Sequence, residues 1–167
     1  MDNCNICKLQ DNPIYEDDLI RAVLHKKPSA PGHIIVFPRK HYTIFEQVPD
    51  IEVARIFSVA NKISTAVFES LQMHGTNILV NNGLAAGQQD NHFVVHIIPR
   101  TEGDGLKLEW KPKQLSEEEM STVELMLKPV AEVMQEPPVE PKKEEKKEPE
   151  KLGDENNYLI RQLRRIP

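Results

Sequence analysis

The stretch that decides the fold is residues 81–100, which read NNGLAAGQQDNHFVVHIIPR. Its first half, 81–91, is rich in glycine and side-chain amides and predicts a loop. Glycine adopts left-handed backbone at little cost, so the N–H groups of such a loop can turn together toward an anion. The second half is apolar apart from its histidines and predicts a strand over 92–98.

Alternate residues of this strand point to opposite faces of a sheet. His92, Val94 and His96 therefore share one face, and Phe93 and Val95 lie on the other. Two histidines on one face beside a glycine-amide loop form a candidate phosphate site. Taken alone, such a pair is more often a set of partly buried, hydrogen-bonded sheet residues than a catalytic group.

The flanking sequence predicts an α+β fold. Apolar residues spaced three and four apart predict a long helix that begins at Asp50, whose carboxylate can cap it, and ends near Gly75, which can take the left-handed cap. The helix packs on one face of a mainly antiparallel sheet of about five strands. The predicted strands cover residues 14–15, 19–24, 33–38, 76–80 and 92–98.

The C-terminal third differs in composition. Ser116–Glu119 reads SEEE, a capping box that predicts a further helix, and Pro129 predicts a kink or an early stop in it. Pro, Glu and Lys dominate residues 136–153, which predicts a disordered linker because little apolar surface is available to bury. Residues 154–167 predict a docking helix. The first domain would then span residues 1–135.

Composition narrows the class of protein. The net charge of −5 and the isoelectric point of about 5.7 lack the basic footprint of a nucleic-acid binder, so no nucleic-acid partner is expected. A small phosphate ligand remains possible because it needs only local donors. The sequence has no apolar run of about 18 residues and no secretory leader, so we expect no membrane partner and a cytoplasmic location.

Cys4 and Cys7 are the only cysteines of the chain. Their C-x-x-C spacing is that of a metal half-site, and in a reducing compartment this is more common than a structural disulfide. The alternative is a pair of free thiols near a frayed terminus. The spacing favours zinc.

The motifs of the chain resemble those of the histidine triad (HIT) family. Residues 81–100 resemble its signature, in which H-φ-H-φ-H-φ-φ follows an asparagine-bearing strand and a Gly-Gln loop. Residues 31–41, PGHIIVFPRKH, resemble the family's G-H-x-φ-φ-φ-P-K-x-H segment, and Cys-x-x-Cys occurs in its zinc-containing members. These segments agree in order and spacing from Cys4 to about Trp110, so the chain is identified as a member.

The resemblance implies a purine nucleotide or dinucleotide as ligand. In the family, the asparagine matched by Asn81 orients the triad or contacts phosphate, and the glutamine matched by Gln88 lies near the phosphate. His92 and His96 match the first and third histidines, and His33 matches the histidine of the nucleoside pocket. The implied nucleotide-binding residues are His25, His33, Asn81, Gly87, Gln88, Gln89 and His96.

Three positions depart from the family pattern. Val94 occupies the place of the central histidine, which attacks the α-phosphate in the family, and valine has no lone pair with which to do so. Losing the nucleophile of a cooperating set lowers the rate on the order of 10⁶-fold. Gln89 stands where Ser or Thr often serves the leaving group. His25 stands where many members have the aspartate that holds the ribose hydroxyls.

The resemblance also completes the metal site and implies an assembly. His41 and His92 would join Cys4 and Cys7 in a closed, structural Cys₂His₂ zinc site, which makes His92 a metal ligand and leaves phosphate chemistry to other residues. A homodimer is implied in which two sheets join edge to edge, and such pairing covers an edge strand.

Three functional hypotheses follow. The first is a purine-nucleotide-binding protein that resembles nucleotidyl hydrolases of the dinucleoside polyphosphate or nucleoside phosphoramidate type, with impaired or no activity. The second is an active hydrolase that uses His96 or water, although His96 lies about 7 Å along the strand from the lost nucleophile. The third is a non-catalytic scaffold that acts through its C-terminal tail.

Overall fold

The structure is a computed structural model that describes residues 4–10 and 12–133. The chain divides into two compact units, Met1–Glu109 and Trp110–Pro167, and each is described by itself. Within the described residues no helix combines the length and the apolar character that crossing a bilayer requires.

The first unit is built on a five-stranded sheet in which every neighbouring pair is antiparallel. The strand order is β1-β2-β3-β5-β4, so the last strand in sequence lies inside the sheet and β4 forms an edge. The predicted α+β architecture with five mainly antiparallel strands is confirmed. The strands are β1 (Tyr15–Glu16), β2 (Ile20–Leu24), β3 (Ile34–Pro38), β4 (Gly75–Leu79) and β5 (Val95–Arg100).

Helix α1 (Asp50–Leu71) covers one face of this sheet. Its apolar stripe recurs at helical spacing, as the sequence predicts, and it packs against alternate residues of the inner strands. The resulting core holds Ile56, Val59, Ile63 and Val67 from the helix, with Ile34, Val36, Val95 and Ile97 from β3 and β5.

Both predicted caps of α1 are wrong. Pro49 occupies the N-cap position, and Asp50 is the first helical residue, so no side chain caps this end. At the other end Gln72 takes the left-handed conformation with φ 53°. Its N–H then donates to the Phe68 carbonyl, and the chain reverses early enough for Gly75 to pair with Arg100 at the start of β4.

The last strand begins later than predicted, at Val95 and not at His92. The segment before it leaves the sheet because its groups bond elsewhere. The Phe93 N–H donates to the Tyr42 carbonyl at 2.7 Å, and the His92 ring donates from Nε2 to the Pro38 carbonyl at 3.0 Å. The predicted alternation still holds, since Phe93 and Val95 lie in the core beneath α1.

A second apolar cluster covers the opposite face of the sheet. The N-terminal segment supplies Cys4, Ile6 and Leu9, and the strands supply Val23, Ile35 and Phe37. Val94 completes this cluster and is only 7% exposed. Val94 is therefore packed against the segment that carries the Cys-x-x-Cys motif.

In the second unit, the described residues form α2 (Glu117–Val133). The predicted capping box is confirmed, because the Glu119 N–H donates to Ser116 Oγ while the Ser116 N–H donates to Glu119 Oε2. The predicted early stop is wrong, because the helix continues past Pro129 to Val133. The predicted linker, 136–153, and docking helix, 154–167, lie outside the described residues, and the domain limits stay predictions.

Candidate functional site

A cavity of about 210 Å³ lies on the sheet face opposite α1. His33, immediately before β3, lines it together with β5 and the end of β4, and the glycine-rich loop between β4 and β5 forms one wall. The structure brings all the residues predicted for nucleotide binding to this cavity, together with Val94. They are His25, His33, Asn81, Gly87, Gln88, Gln89 and His96.

His33, which immediately precedes β3, and His96 of β5 form a directional hydrogen-bonded pair in the cavity. The Ser29 N–H lies 3.1 Å from His33 Nδ1, so this nitrogen accepts and the neutral ring carries its proton on Nε2. His33 Nε2 lies 3.1 Å from His96 Nδ1 and donates to it. His96 therefore carries its own proton on Nε2 and lines the cavity as a hydrogen-bond donor.

Both rings are neutral at pH 7. Burial, together with the nearby His25 and His96 rings, lowers the pKa of His33 to about 4. Burial also lowers the pKa of His96, with His25 acting in the same direction and Asp90 opposing them. The assignment of one proton to each ring is consistent with these shifts.

His25 forms the outer rim of the cavity. Its ring stacks on His33 with centroids 4.6 Å apart. Its Nδ1 lies 2.7 Å from the Lys27 carbonyl, which can only accept, so Nδ1 carries the proton when the ring is neutral. The Lys27 N–H lies farther from the same atom, at 3.3 Å. His25 then has its lone pair on Nε2 and is a single acceptor, where a carboxylate would offer two oxygens.

The conformation of the glycine-rich loop depends on its glycines and on the Gln88 side chain. Gly83 and Gly87 have φ values of 87° and 85°, a region that favours glycine. The Gln88 side chain accepts from the Gly83 N–H at 2.8 Å and donates to the Thr43 and Asp90 carbonyls. This amide therefore shapes the loop, and its predicted contact with phosphate stays a prediction.

Cys4, Cys7, His41 and His92 come together in a second cluster, at the base of the N-terminal segment. Their ligand atoms all lie within 4.8 Å of one another. His92 Nδ1 lies 3.5 Å from Cys4 Sγ and 3.4 Å from Cys7 Sγ, and His41 Nδ1 lies 3.4 Å from Cys7 Sγ. Tetrahedral zinc with ordinary bond lengths would place sulfur and nitrogen ligands about 3.5 Å apart. The four residues therefore fit a metal ion.

The orientation of His92 also suits metal binding. Its Nε2 donates to the Pro38 carbonyl, which leaves the lone pair of Nδ1 directed at the two sulfur atoms. A backbone carbonyl that fixes the tautomer in this way is the usual support of a metal-bound histidine.

Backbone groups of the site could not be identified from the sequence. The Ser29 N–H sets the tautomer of His33, and the Lys27 and Pro38 carbonyls orient His25 and His92. Any residue type other than proline supplies the same N–H, and every residue supplies a carbonyl, so no pattern of side chains marks these positions.

The sequence pattern of the HIT domain family matches residues 8–103, more than half of the chain. The chain belongs to the HIT family. Its fold is that of a HIT domain, and Val94 lies between His92 and His96 in the sequence.

The chain is also similar in sequence to individual HIT proteins. An Arabidopsis thaliana protein named adenylylsulfatase is 38% identical over 109 residues, which cover 62% of this chain and 55% of that protein. The match thus spans about half the length of the Arabidopsis protein.

Solved HIT structures show the same fold. A histidine triad nucleotide-binding protein of Candida albicans superposes with a TM-score of 0.69 at 25% identity, over 78% of this chain and 99% of that one. A zinc-bound histidine triad family protein of Mycobacterium smegmatis superposes with a TM-score of 0.59 at 29% identity, over 78% of this chain and 97% of that one.

Proposed function

We propose that this chain binds a purine nucleotide or dinucleotide in the cavity between His25 and His96, and that its nucleotidyl hydrolysis is impaired. The observation that carries the proposal is the hydrogen-bonded pair of histidines. Because His33 donates to His96, the His96 Nε2–H can donate to a phosphate oxygen without first losing or gaining a proton. The Candida and Arabidopsis relatives, whose names specify nucleotide binding and adenylylsulfate hydrolysis, support this class of ligand.

The impairment follows from Val94. An aliphatic side chain cannot form a bond to phosphorus, and this one is also buried in the cluster that includes Cys4, Ile6 and Leu9. The site can therefore hold a phosphate without the group that would attack it.

An active hydrolase that uses His96 is a weaker alternative. The lone pair of the neutral His96 ring is on Nδ1, and it is already engaged by His33. Nucleophilic attack through Nε2 would require the opposite tautomer and the loss of that hydrogen bond. A water nucleophile needs no such change and remains the route for any residual turnover.

The proposal is tested by calorimetric titration with AMP and by turnover of an adenosine phosphoramidate and of a dinucleoside polyphosphate. The Val94→His variant should gain turnover, whereas Val94→Asn, a polar substitution without an imidazole, should not. Thermal unfolding of each variant shows whether the buried site tolerates the change. Absence of AMP binding at millimolar concentration contradicts the proposal, and equal turnover by all three proteins contradicts the role of position 94.

We infer that the cluster of Cys4, Cys7, His41 and His92 holds structural zinc. The set of two thiolates and two imidazoles fills a tetrahedral ion completely, so no position is left for a substrate. When bound, the ion would tie the N-terminal segment to the sheet. The zinc-bound Mycobacterium relative supports this choice of metal.

We also infer a homodimer formed through the β4 edge. This edge carries Ile78, an apolar side chain that is 45% exposed, and the N–H and C=O groups of an unpaired edge favour pairing with a second copy.

A scaffold function remains the second candidate because α2 exposes a set of large apolar side chains. They are Met120, Val123, Leu125, Met126, Leu127 and Val130. Removing residues 117–167 should abolish partner binding and leave AMP binding intact if α2 and the tail that follows it recruit a partner. Loss of AMP binding on the same deletion contradicts a separate scaffold role.

A further inference from the structure

A second groove opens beside the nucleotide cavity and has a volume of about 510 Å³. The N-terminal segment forms one side of it through Asn5, Ile6, Lys8 and Leu9. The two spaces share a boundary, at which the same residues line both. They are His25, Lys27, Gln89 and Asp90.

The first cavity is too small to enclose a whole nucleotide, so we expect a bound nucleotide to extend past the boundary residues into the second groove. At about 210 Å³ the cavity is smaller than the roughly 300 Å³ at which ligand pockets usually begin. A nucleotide whose phosphate lies at His96 would therefore reach past His25 and place its far end in the second groove.

The charges of the lining residues indicate which chemical group of the ligand the groove can bind. Lys8, Lys26 and Lys27 line it, and among its described lining residues Asp90 is the single acidic side chain. The groove is thus locally basic although the whole chain carries a net charge of −5. Such a concentration of one sign in a concave surface raises the local concentration of the opposite charge.

We propose that this groove binds a second phosphate group of the nucleotide, held apart from the phosphate at His96. The inference rests on the nucleotide-binding function proposed above and narrows its substrate class to nucleotides that carry two separated phosphates. His25 marks the boundary between the subsites. An imidazole there adds no negative charge, whereas a carboxylate would repel the second phosphate.

The experiment compares the dissociation constants of four ligands for the full chain by calorimetry: AMP, ADP, adenosine 3′,5′-bisphosphate and adenosine 2′,5′-bisphosphate. At least one of the two bisphosphates should bind about five-fold more tightly than AMP, the scale of two exposed charge pairs. The bisphosphates carry their second phosphate on the ribose, apart from the first, whereas the two phosphates of ADP are adjacent, so ADP should not show this preference. Raising the salt concentration should reduce the preference.

Three variants test whether the groove causes the preference for a second phosphate over AMP. Lys8→Glu changes a residue that lines only the second groove and should remove most of the preference. His25→Asp places a carboxylate at the boundary and should also reduce it. Lys62→Glu, on the exposed side of α1 and outside both spaces, is the matched control and should preserve it.

The outcomes separate this inference from the proposed function. If AMP binds and neither bisphosphate binds more tightly, the groove proposal is wrong while nucleotide binding stands. The groove proposal is also wrong if the preference survives Lys8→Glu. If none of the four ligands binds, nucleotide binding itself fails, and the groove proposal fails with it.

Discussion

His33 Nε2 donates to His96 Nδ1 across 3.1 Å, and this bond joins residues that lie 63 positions apart in the sequence. It fixes which nitrogen of His96 carries the proton. The arrangement makes His96 a hydrogen-bond donor through Nε2 and keeps its other nitrogen occupied. In the proposed function this N–H donates to the phosphate. The first two predictions follow from this pair.

Replacing the donor should weaken nucleotide binding. His33→Leu removes the bond that fixes the His96 tautomer, and the loss of a hydrogen bond of this kind costs about 1 kcal/mol, or roughly a five-fold increase in Kd. Calorimetry with AMP measures the change. His74→Leu replaces an exposed histidine that does not line the cavity and should leave the Kd unchanged. Equal effects of the two substitutions contradict the role of the pair.

The stability of the fold should depend on pH through His33. The pKa of His33 is lowered to about 4 in the folded chain from an ordinary value of 6.5. Between these values the unfolded chain binds more protons than the folded chain, so stability falls as the pH is lowered through this window. Below pH 4 both states are protonated, and this contribution changes no further.

Urea unfolding at pH 7 and at pH 4 tests the pH effect. His33 should contribute a loss of up to about 3 kcal/mol over this interval. His33→Leu should lose correspondingly less stability over the same interval, and His74→Leu should lose as much as the original chain. An identical pH dependence in all three proteins contradicts the lowered pKa of His33.

The metal cluster should bind one zinc ion per chain and stabilise the fold. His41→Ala removes one of the four ligands and should abolish stoichiometric zinc, measured by mass spectrometry of the metal. It should also lower the melting temperature, because zinc at a thousand-fold excess over its Kd contributes about 4 kcal/mol. His74→Ala provides the control. Full zinc content in His41→Ala contradicts the assignment of His41 as a ligand.

The β4 edge should mediate dimerisation. Ile78→Lys puts a charge on this edge and should convert the dimer to a monomer in analytical ultracentrifugation, because charged edge strands resist pairing. Ile14→Lys provides the comparison, since Ile14 is 49% exposed beside the short opposite edge strand. A monomeric original chain, or a dimer that persists in Ile78→Lys, contradicts the proposed edge.

Sequence patterns predicted the architecture well where apolar periodicity decides it. The apolar stripe of α1 and the short runs of β2 and β3 appear nearly as the sequence indicates. The caps of α1 could not be predicted, because they depend on where the chain must turn into β4. Glycine favours the left-handed conformation, which is why the sequence predicts Gly75 as the cap. In the structure Gly75 pairs with Arg100 in β4, and Gln72 takes the left-handed conformation before it.

The sequence predicted which residues lie together at the cavity, but it did not predict how their side chains are oriented. The roles of these residues stay predictions. Alternation along residues 92–96 correctly separates the cavity side of the sheet from the core under α1. The direction of the bond between His33 and His96 depends on the Ser29 N–H, and the burial of Val94 depends on the N-terminal segment. Both are tertiary relationships that no local pattern contains.

The last strand in sequence, β5, lies inside the sheet between β3 and β4, and this determines when the site can form during biosynthesis. The first three strands form a meander of near neighbours, so His25 and His33 can be in place early. Their partner His96 and the cluster residue His92 emerge from the ribosome later, and long-range pairing is the slower step of folding. A nascent chain that ends before residue 92 therefore has three of the four cluster residues and lacks His96, so neither site can form its complete arrangement.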